Sequence, residues 1–395
     1  MVTVSDQYEA FPYPARDPAD ERTRLITGSP SDPVEMDHYL FGGARDWSQP
    51  LRALVAGGGT GDGLIQLATR LSQAGRPFEI TYLDLSRASR AIAEKRAKVR
   101  GLTGITFHTA SLLDAPDFGE FDYIDCCGVL HHLPDPAAGF KALRAACAPT
   151  GGLGFMVYAP LGRSGVYPLQ QAFGALFANL GPTERLAAAR AVFAKLPDGH
   201  PFKTNPHLGD HKQSDAGFYD LLLHSQDRSY DVGELLDELT GAGWDLASFC
   251  QPGRYDLARF AEVPATMDAA QAMVIAEKLN GTMKVHLGYA VPAGAVRPVA
   301  SAAKRSLVPH LRAATPAQLA KAVSTGKPFS IKSGGETIRI ALPKSAAPLI
   351  ARINGKRSLN DIASGMDPIT FGGIWSQIEA AFTPWDVLLY SRLLT

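Results

Sequence analysis

The sequence predicts an α/β fold in which a largely parallel sheet carries helices on both faces. Short apolar runs alternate with stretches of helical pattern through residues 51–160, and this alternation is typical of strand–helix–strand units. The first run leads into a glycine-rich turn, AGGGTGDG at 56–63, where such sheets commonly bind a ligand. The length of 395 residues, 46% of them hydrophobic, exceeds one ordinary domain, so we expect two.

Each element of the sheet follows from its own residue pattern. Five apolar runs predict strands with the loops that follow them, and three stretches with apolar residues at helical spacing predict helices. The strand segments are 51–57, 78–86, 104–114, 121–133 and 152–160, and the helical segments are 61–75, 87–101 and 136–151.

The cysteine content and the N-terminal sequence indicate the cellular compartment of the protein. The cysteines Cys126, Cys127, Cys147 and Cys250 lack metal-ligand spacing and are too few for a disulfide framework. We expect Cys126 and Cys127 to be buried in a strand. The sequence shows neither a signal-peptide pattern at residues 1–17 nor a run of about 18 apolar residues. We therefore expect a cytoplasmic protein without a membrane partner.

The formal net charge of the chain is zero, but the charged residues are unevenly distributed along it. From Ser301 onward there are 12 Lys/Arg against 5 Asp/Glu, a net +7, which leaves −7 for residues 1–300. Such asymmetry indicates a different partner for each part or contact between the two parts, unless it reflects chance on solvated surfaces.

The glycine turn and the acid after the second strand narrow the range of ligands that the predicted site could bind. Gly57, Gly59 and Gly61 allow positive φ and a close approach of backbone to ligand, and Asp84 is placed to accept hydrogen bonds from ribose hydroxyls. A dinucleotide fingerprint, G-x-G-x-x-G, fails because its third glycine position is Asp62 or Leu64. S-adenosylmethionine needs a glycine turn, a ribose carboxylate and an apolar adenine slot, and this spacing suits it.

Three motifs carry a family resemblance over residues 50–160. AGGGTGDG, LDLS at 83–86 and FDYIDCCGVLHHLPDP at 121–136 resemble the motifs of class I S-adenosylmethionine-dependent methyltransferases. With QYEAFPYP at 7–14, the chain is similar to a bacterial subgroup, some members of which carry tetratricopeptide repeats that are not seen here. The resemblance implies a Rossmann-like seven-stranded sheet, with a sixth strand within 231–251 and an antiparallel seventh within 281–292. It also implies S-adenosylmethionine as donor, S-adenosylhomocysteine as product and no metal.

The resemblance also implies a donor site at the strand ends, and the N-terminal arm is a candidate lid for it. Val55 and Ser111 depart from the family, which often has acidic residues at these two positions. The prolines in YEAFPYP stiffen the arm, so its tyrosines either pack on the sheet or cover the sulfonium, where an aromatic face stabilises a cation by about 0.5 to 2 kcal/mol. The expected donor-binding residues are Gly57, Gly58, Gly59, Thr60, Gly61, Asp84, Leu85, Ser111, Leu112, Gly128, Tyr8 and Tyr13.

Methyl transfer demands little acid–base chemistry. Alignment of donor and acceptor supplies much of the rate, and a base is needed only for a protonated acceptor. Candidate catalytic residues are His131 and His132 after the fourth strand and Tyr158 after the fifth. Of the two histidines we expect His131 to face the pocket, although a packing or capping role is the alternative. The segment LLLHSQDRSY contributes candidate substrate residues His224, Asp227 and Arg228.

The expected domains are a methyltransferase domain at 1–295 and a winged-helix-like recognition or regulatory domain at 305–395. The first includes the arm at 1–48 and acceptor-shaping insertions at 161–229 and 252–280. The second contains a hairpin at 328–343 and further helices.

We predict an enzyme acting on an acceptor that is a protein or a small molecule. One rival is a nucleic-acid-binding regulator that responds to S-adenosylmethionine, and another is an enzyme for a different nucleotide. Nucleic acid is not the expected partner, because the basic C-terminal part offers little aromatic interleaving and no arginine-rich helix. The oligomeric state is left open.

Overall fold

A seven-stranded sheet forms the centre of the molecule. The computed structural model describes residues 3–312, 314–333 and 335–395. The strands are β1 (Leu51–Ala56), β2 (Phe78–Asp84), β3 (Ile105–Thr109), β4 (Phe121–Cys127), β5 (Cys147–Tyr158), β6 (Trp244–Phe249) and β7 (Val285–Pro292). They lie in the order β3-β2-β1-β4-β5-β7-β6, and β7 runs antiparallel to both neighbours whereas β1 to β5 pair in parallel. The predicted sheet is confirmed.

Helices cover both faces of this sheet and fill the insertions. They are α1 (Val4–Ala10), α2 (Pro33–Phe41), α3 (Asp62–Gln73), α4 (Arg87–Val99), α5 (Pro136–Ala145), α6 (Val166–Leu176), α7 (Pro182–Phe193), α8 (Pro201–Thr204), α9 (Asp215–Leu223), α10 (Val232–Gly241) and α11 (Ala269–Asn280). Among the described helices, none combines the length and apolar character needed to span a bilayer.

Alternate residues of the central strands pack into two separate hydrophobic cores. Leu54 of β1 packs with α5 and α10 on one face, whereas its neighbour Val55 packs with α2, α3 and α4 on the other. This follows from the two-residue period of a strand, which sends successive side chains to opposite faces. The sheet is therefore buried on both sides, as its continuous apolar strands predict.

The predicted boundary between the third helix and the fifth strand is wrong. The segment expected to be helical to residue 151 ends at Ala145, and β5 begins at Cys147. The turn residues of this stretch lie in an irregular strand pairing, in which Phe121 pairs with Cys147 but Tyr123 pairs with Gly152. A bulge thus accommodates residues that read as a turn.

The C-terminal part has its own core around the buried Trp375. Its hairpin strands pair antiparallel, as do its first and last strands. The predicted hairpin and helices are present, whereas the winged-helix designation and the boundaries at 295 and 305 stay predictions. The elements are β8 (Pro309–Leu311), α12 (Pro316–Ser324), β9 (Phe329–Ser333), β10 (Glu336–Ile340), α13 (Ala347–Ala351), α14 (Leu359–Ala363), α15 (Pro368–Phe382) and β11 (Leu388–Tyr390).

The C-terminal part docks on α2 through buried polar contacts. Asp37 accepts hydrogen bonds from Ser391 Oγ at 2.7 Å and Trp47 Nε1 at 3.0 Å. Leu389 and Leu393 join the core beneath the sheet. This arrangement agrees with one of the explanations of the charge asymmetry, namely contact between the two parts.

Glu35, on α2, is the centre of this junction and is fully buried. It accepts hydrogen bonds from Ser29 Oγ at 2.7 Å and Tyr289 Oη at 2.8 Å, and it pairs with Arg312 of the C-terminal part. Nearby, burial and the charge of Glu35 raise the pKa of Asp386 to about 7. The junction therefore depends on Arg312 to balance two buried carboxyl groups.

We expect Arg312→Ala to lower the free energy of unfolding by about 3 to 5 kcal/mol, because it leaves Glu35 buried without its cation. Urea denaturation of the full chain measures this loss. The control is Arg24→Ala, which removes an ion pair with Asp20 whose arginine side chain is 62% exposed and should cost less than about 1 kcal/mol. Equal losses in the two variants would contradict a junction held by Arg312.

Candidate active site

A cavity of about 950 Å³ opens where β1, β2, β4 and β5 end. This is the edge at which sheets of this kind bind ligands. Ordinary ligand pockets span roughly 300 to 1,000 Å³, so the cavity has room for a nucleoside donor together with an acceptor group. Its walls come from the glycine turn, the N-terminal arm and the first insertion.

The glycine turn is fixed by close packing. A Cβ on Gly58 would lie 2.3 Å from the ring of Tyr82, and one on Gly57, whose φ is +68°, would lie 2.5 Å from Val129. Gly59 has φ +52° and lies against the carbonyl of Tyr13. All three line the cavity, so the turn brings backbone rather than side chains to the ligand.

Backbone donors of this turn are already engaged within the protein. The N–H groups of Gly57 and Gly58 both donate to the Leu83 carbonyl, at 2.8 and 3.1 Å, and that of Gly59 donates to Asp84 Oδ2 at 2.7 Å. A pyrophosphate-binding turn must point such groups at its ligand. The geometry therefore agrees with the sequence-based rejection of a dinucleotide.

Asp84 is held rigidly at the end of β2. Its two oxygens accept the N–H groups of Gly59 and of Ser86, the latter at 2.8 Å. Burial raises the pKa of this carboxyl, and the two N–H bonds oppose that rise. Each oxygen keeps a further lone pair, and Asp84 lines the cavity. It can therefore accept hydrogen bonds from a ribose diol.

The remaining predicted donor-site residues divide into two groups. Leu85, Ser111, Leu112 and Gly128 line the cavity, and their contact with the donor stays a prediction. Thr60 and Gly61 lie outside its wall and correct the prediction. The hydroxyl of Thr60 donates to the Pro14 carbonyl at 2.7 Å, and a Cβ on Gly61 would meet Ala93 of α4 at 3.0 Å. These two residues hold the turn against its neighbours.

The N-terminal arm closes over the cavity. Tyr8 and Tyr13 line it, as predicted. Arg16 anchors the arm by donating to both oxygens of Asp62 at 2.6 to 3.1 Å, and Phe11 stacks on Tyr219 of the insertion at 5.1 Å between ring centroids. The arm thus joins the glycine turn to the insertion.

Asp220 of α9 organises the opposite end of the cavity. It is 3% exposed and accepts hydrogen bonds from Tyr8 Oη at 3.0 Å and Tyr158 Oη at 3.2 Å. Burial raises the pKa of Asp220. The predicted catalytic Tyr158 thus lines the pocket and is oriented by a carboxylate that the sequence analysis missed.

The prediction that His131 faces the pocket is wrong. Its ring is 1% exposed and packs on Tyr158 at 3.9 Å between centroids, and burial lowers its pKa well below the usual value. His132 lines the cavity instead. Its Nδ1 lies 2.9 Å from the Gln226 carbonyl. Because a carbonyl only accepts, Nδ1 carries the proton, and the neutral ring keeps a lone pair on Nε2.

The predicted substrate residues serve mainly structural roles. His224 accepts the Gln226 N–H on Nδ1, so its Nε2 carries the proton and donates to Tyr8 Oη at 3.2 Å. Asp227 pairs with Arg163 at 3.0 Å and accepts from Gln170 at 2.7 Å.

Arg228 lies with its guanidinium 4.2 Å from the Tyr230 ring centroid. Neither Asp227 nor Arg228 lies on the cavity wall, which corrects their prediction as substrate contacts. His224 acts from behind the wall, through Tyr8.

Only the first of the two insertions shapes the cavity. Residues 161–229 supply wall residues including Arg163, Leu208 and Asp220. The second insertion, 252–280, supplies none and instead contacts the C-terminal part: Arg259 Nη2 pairs with Glu336 at 2.6 Å. The prediction that both insertions shape the acceptor pocket is therefore wrong for the second.

Sequence reasoning also missed wall residues on β4 and α3. Cys126 is buried as expected, but Cys127 is exposed and lines the cavity. Asp125 and Gln66 line it as well. One signal was available for Asp125, since an acid inside the apolar run FDYIDCC is unusual for a strand buried on both faces.

The cavity fits S-adenosylmethionine. It combines a turn whose Gly57, Gly58 and Gly59 N–H groups are engaged within the protein, a buried carboxylate for the ribose, and apolar contacts from Leu85, Leu112 and Val129. Nothing in this set demands a metal. The ligand atoms of His132, Asp220 and His224 lie within 4.8 Å of one another. However, Nδ1 of His224 accepts the Gln226 N–H and its Nε2 donates to Tyr8, so this ring keeps no lone pair for an ion.

Comparisons with known proteins agree with this assignment. A family model described as a methyltransferase domain matches residues 54–153. An uncharacterized protein of Synechococcus is 32% identical over 264 residues, which are 64% of this chain and 60% of that protein. An uncharacterized protein of Rickettsia prowazekii is 32% identical over 128 residues, which are 32% of this chain and 20% of that protein.

Among solved structures, PKMT2 from Rickettsia typhi is similar in fold. It has a TM-score of 0.64 at 13% identity, covering 93% of this chain and 77% of that one. A second structure of that protein, in complex with AdoHcy, has a TM-score of 0.61 at 14% identity. At these identities the likeness concerns the fold alone.

Residues 54–153 therefore form a methyltransferase domain, and the prediction of a methyltransferase is confirmed for this domain. The chain spans less than two thirds of the length of both curated relatives. It stays a prediction that the arm and a winged-helix module place the chain in the bacterial subgroup. The cytoplasmic location and the partners stay predictions as well.

We expect Asp84→Asn to weaken binding of S-adenosylhomocysteine by about 1.5 to 3 kcal/mol, because a charge-assisted bond to the ribose becomes a neutral one. Isothermal titration calorimetry measures this effect. Asp117→Asn, at an exposed acid in the 3₁₀ helix before β4, is the matched control and should bind normally. Unchanged affinity in Asp84→Asn would remove the ribose assignment.

Proposed function

We propose that the protein is an S-adenosylmethionine-dependent methyltransferase that methylates a basic nitrogen, carried by a protein side chain or a small molecule. The observation that supports this proposal is Asp220, buried at the acceptor end between two tyrosine hydroxyls. Within the described part of the chain, Asp220 forms no ion pair. A buried carboxylate of this kind favours a cationic partner.

The surroundings of Asp220 favour the same chemistry. The hydroxyl of Tyr158 donates its proton to Asp220, so its oxygen lone pairs remain to accept an N–H from the acceptor. The nearby cation Arg163 forms its ion pair with Asp227 rather than with Asp220, and its guanidinium carbon lies 3.5 Å from the Tyr158 ring centroid. Aromatic faces and a carboxylate together stabilise an ammonium group.

His132 is placed to make the nitrogen reactive. The bound donor supplies an electrophilic methyl group on its sulfonium. An ammonium acceptor must first lose a proton, and Nε2 of His132 has the free lone pair to take it. Tyr158 and Asp220 hold the resulting amine for in-line attack, and the arm limits access of water.

We propose that the C-terminal part supports acceptor binding rather than nucleic-acid binding. Lys332 and Arg339 lie on the exposed face of the hairpin, but Arg352 is engaged with the Ile362 carbonyl at 2.7 Å. The comparisons lend no support to a nucleic-acid-binding regulator. Strong, salt-sensitive DNA affinity of the full chain would contradict this view.

We expect methyl label from S-adenosylmethionine to appear on nitrogen when the protein acts on a bacterial lysate. Size fractionation separates protein from small-molecule acceptors, and resistance of the label to alkaline hydrolysis separates N-methyl groups from methyl esters. Asp220→Asn should reduce labelling, whereas Asp198→Asn, at a fully exposed acid, should not. Base-labile label would refute a nitrogen acceptor.

We expect His132→Asn to lower kcat by about 100-fold or more, because it removes a general base, while S-adenosylhomocysteine affinity stays within about twofold of the wild type. His108→Asn, at a half-buried histidine of β3, is the control. An unchanged kcat in His132→Asn would exclude it as the base.

A further inference from the structure

We propose that Asp125 and Gln66 bind the amino-acid end of the methyl donor, with Asp125 holding the α-ammonium and Gln66 the α-carboxylate. The inference rests on the proposed use of S-adenosylmethionine. It assigns recognition of a zwitterion to two side chains rather than to the backbone of the glycine turn.

Asp125 is a buried acid without a cation. It lies on β4, is 2% exposed and lines the cavity. Its hydrogen-bond partner in the protein is the hydroxyl of Ser31, which donates to Oδ2. Within the described residues it forms no ion pair. A carboxylate in this position is stable only when a ligand or a proton balances its charge.

Gln66 offers the complementary donor. Its Oε1 accepts the Gly28 N–H at 2.6 Å, which orients the amide. Its Nε2 is buried and has no hydrogen-bond partner among the described residues. Buried amide donors are nearly always paired in native proteins, so an unpaired one on a cavity wall indicates a ligand acceptor group.

The two side chains belong to one wall. Gly63 and Gln66 are three residues apart on α3 and share a helix face. A Cβ on Gly63 would lie 2.6 Å from Ser31 Oγ and 3.3 Å from Asp125 Oδ2. Residues 28–31 therefore touch both groups, through Gly28 and through Ser31. The wall presents one anionic acceptor and one neutral donor side by side.

Other groups near the turn are less suited to an amino-acid head. Arg16 is also on the wall, but its guanidinium is engaged by Asp62 and by the Ala15 carbonyl at 3.0 Å. The N–H groups of Gly57, Gly58 and Gly59 are engaged within the protein. Burial also raises the pKa of Asp125 to about 6, as expected for a carboxyl that lacks a cation in the protein itself.

The roles of Asp125 and Gln66 can be separated with three ligands. Calorimetry measures the affinity of the full chain for each of them in the absence of an acceptor. S-adenosylmethionine has both charged groups, decarboxylated S-adenosylmethionine keeps only the amine, and methylthioadenosine has neither. We expect Asp125→Asn to lower the affinity for the first two ligands by at least about tenfold, and the affinity for methylthioadenosine by less than about twofold. Gln66→Leu should weaken S-adenosylmethionine alone, by about fivefold or more.

Controls separate binding from folding and from the proposed function. Gln73→Leu, at an exposed glutamine of the same helix, should leave all three affinities unchanged. Ligand-free Asp125→Asn should melt no lower than the wild type, because it removes an unbalanced buried charge. Wild-type affinity for S-adenosylmethionine in Asp125→Asn, or an equal loss for methylthioadenosine, would overturn the assignment. If the wild type bound none of the three ligands, the proposed function itself would fail.

Discussion

The buried carboxylate of Glu35 connects the parts of the molecule that build the site. It accepts hydrogen bonds from Ser29, beside the cavity wall, and from Tyr289 in the sheet, and it pairs with Arg312 of the C-terminal part. A charge this deep is stable only with such partners. Placement of the wall at residues 28–31 therefore depends on contacts from both the sheet and the C-terminal part.

Around the cavity, three acids are balanced in different ways. Asp84 accepts two backbone N–H groups, Asp62 is held by Arg16 and Arg96, and Asp220 accepts two tyrosine hydroxyls. Only the second arrangement brings full positive charge, and accordingly the pKa of Asp62 is lowered whereas those of Asp84 and Asp220 are raised. The acids without a cation are those with lone pairs left for a ligand.

The sequence predicted the sheet and the donor turn because both depend on local pattern. Apolar runs specify strands, and the positive φ angles at Gly57 and Gly59 mark a turn in which glycine is the favoured residue. The acceptor end was poorly predicted because it is assembled over long separations. Tyr8 and Asp220 are 212 residues apart, and which of two adjacent histidines faces the cavity depends on a turn after β4. No periodic signal encodes that choice.

The contact between α2 and β11 has a consequence for biosynthesis. Asp37 and Ser391 are 354 residues apart in the chain, yet their side chains meet at 2.7 Å in a buried position. During synthesis α2 emerges early and lacks this cover until residues 388–393 have left the ribosome. Loop-closure entropy makes such a distant contact slow to form. The final burial of α2, and with it the setting of Glu35, therefore has to wait for synthesis of the C-terminal part, and the nascent chain has to be kept from aggregating through that apolar surface.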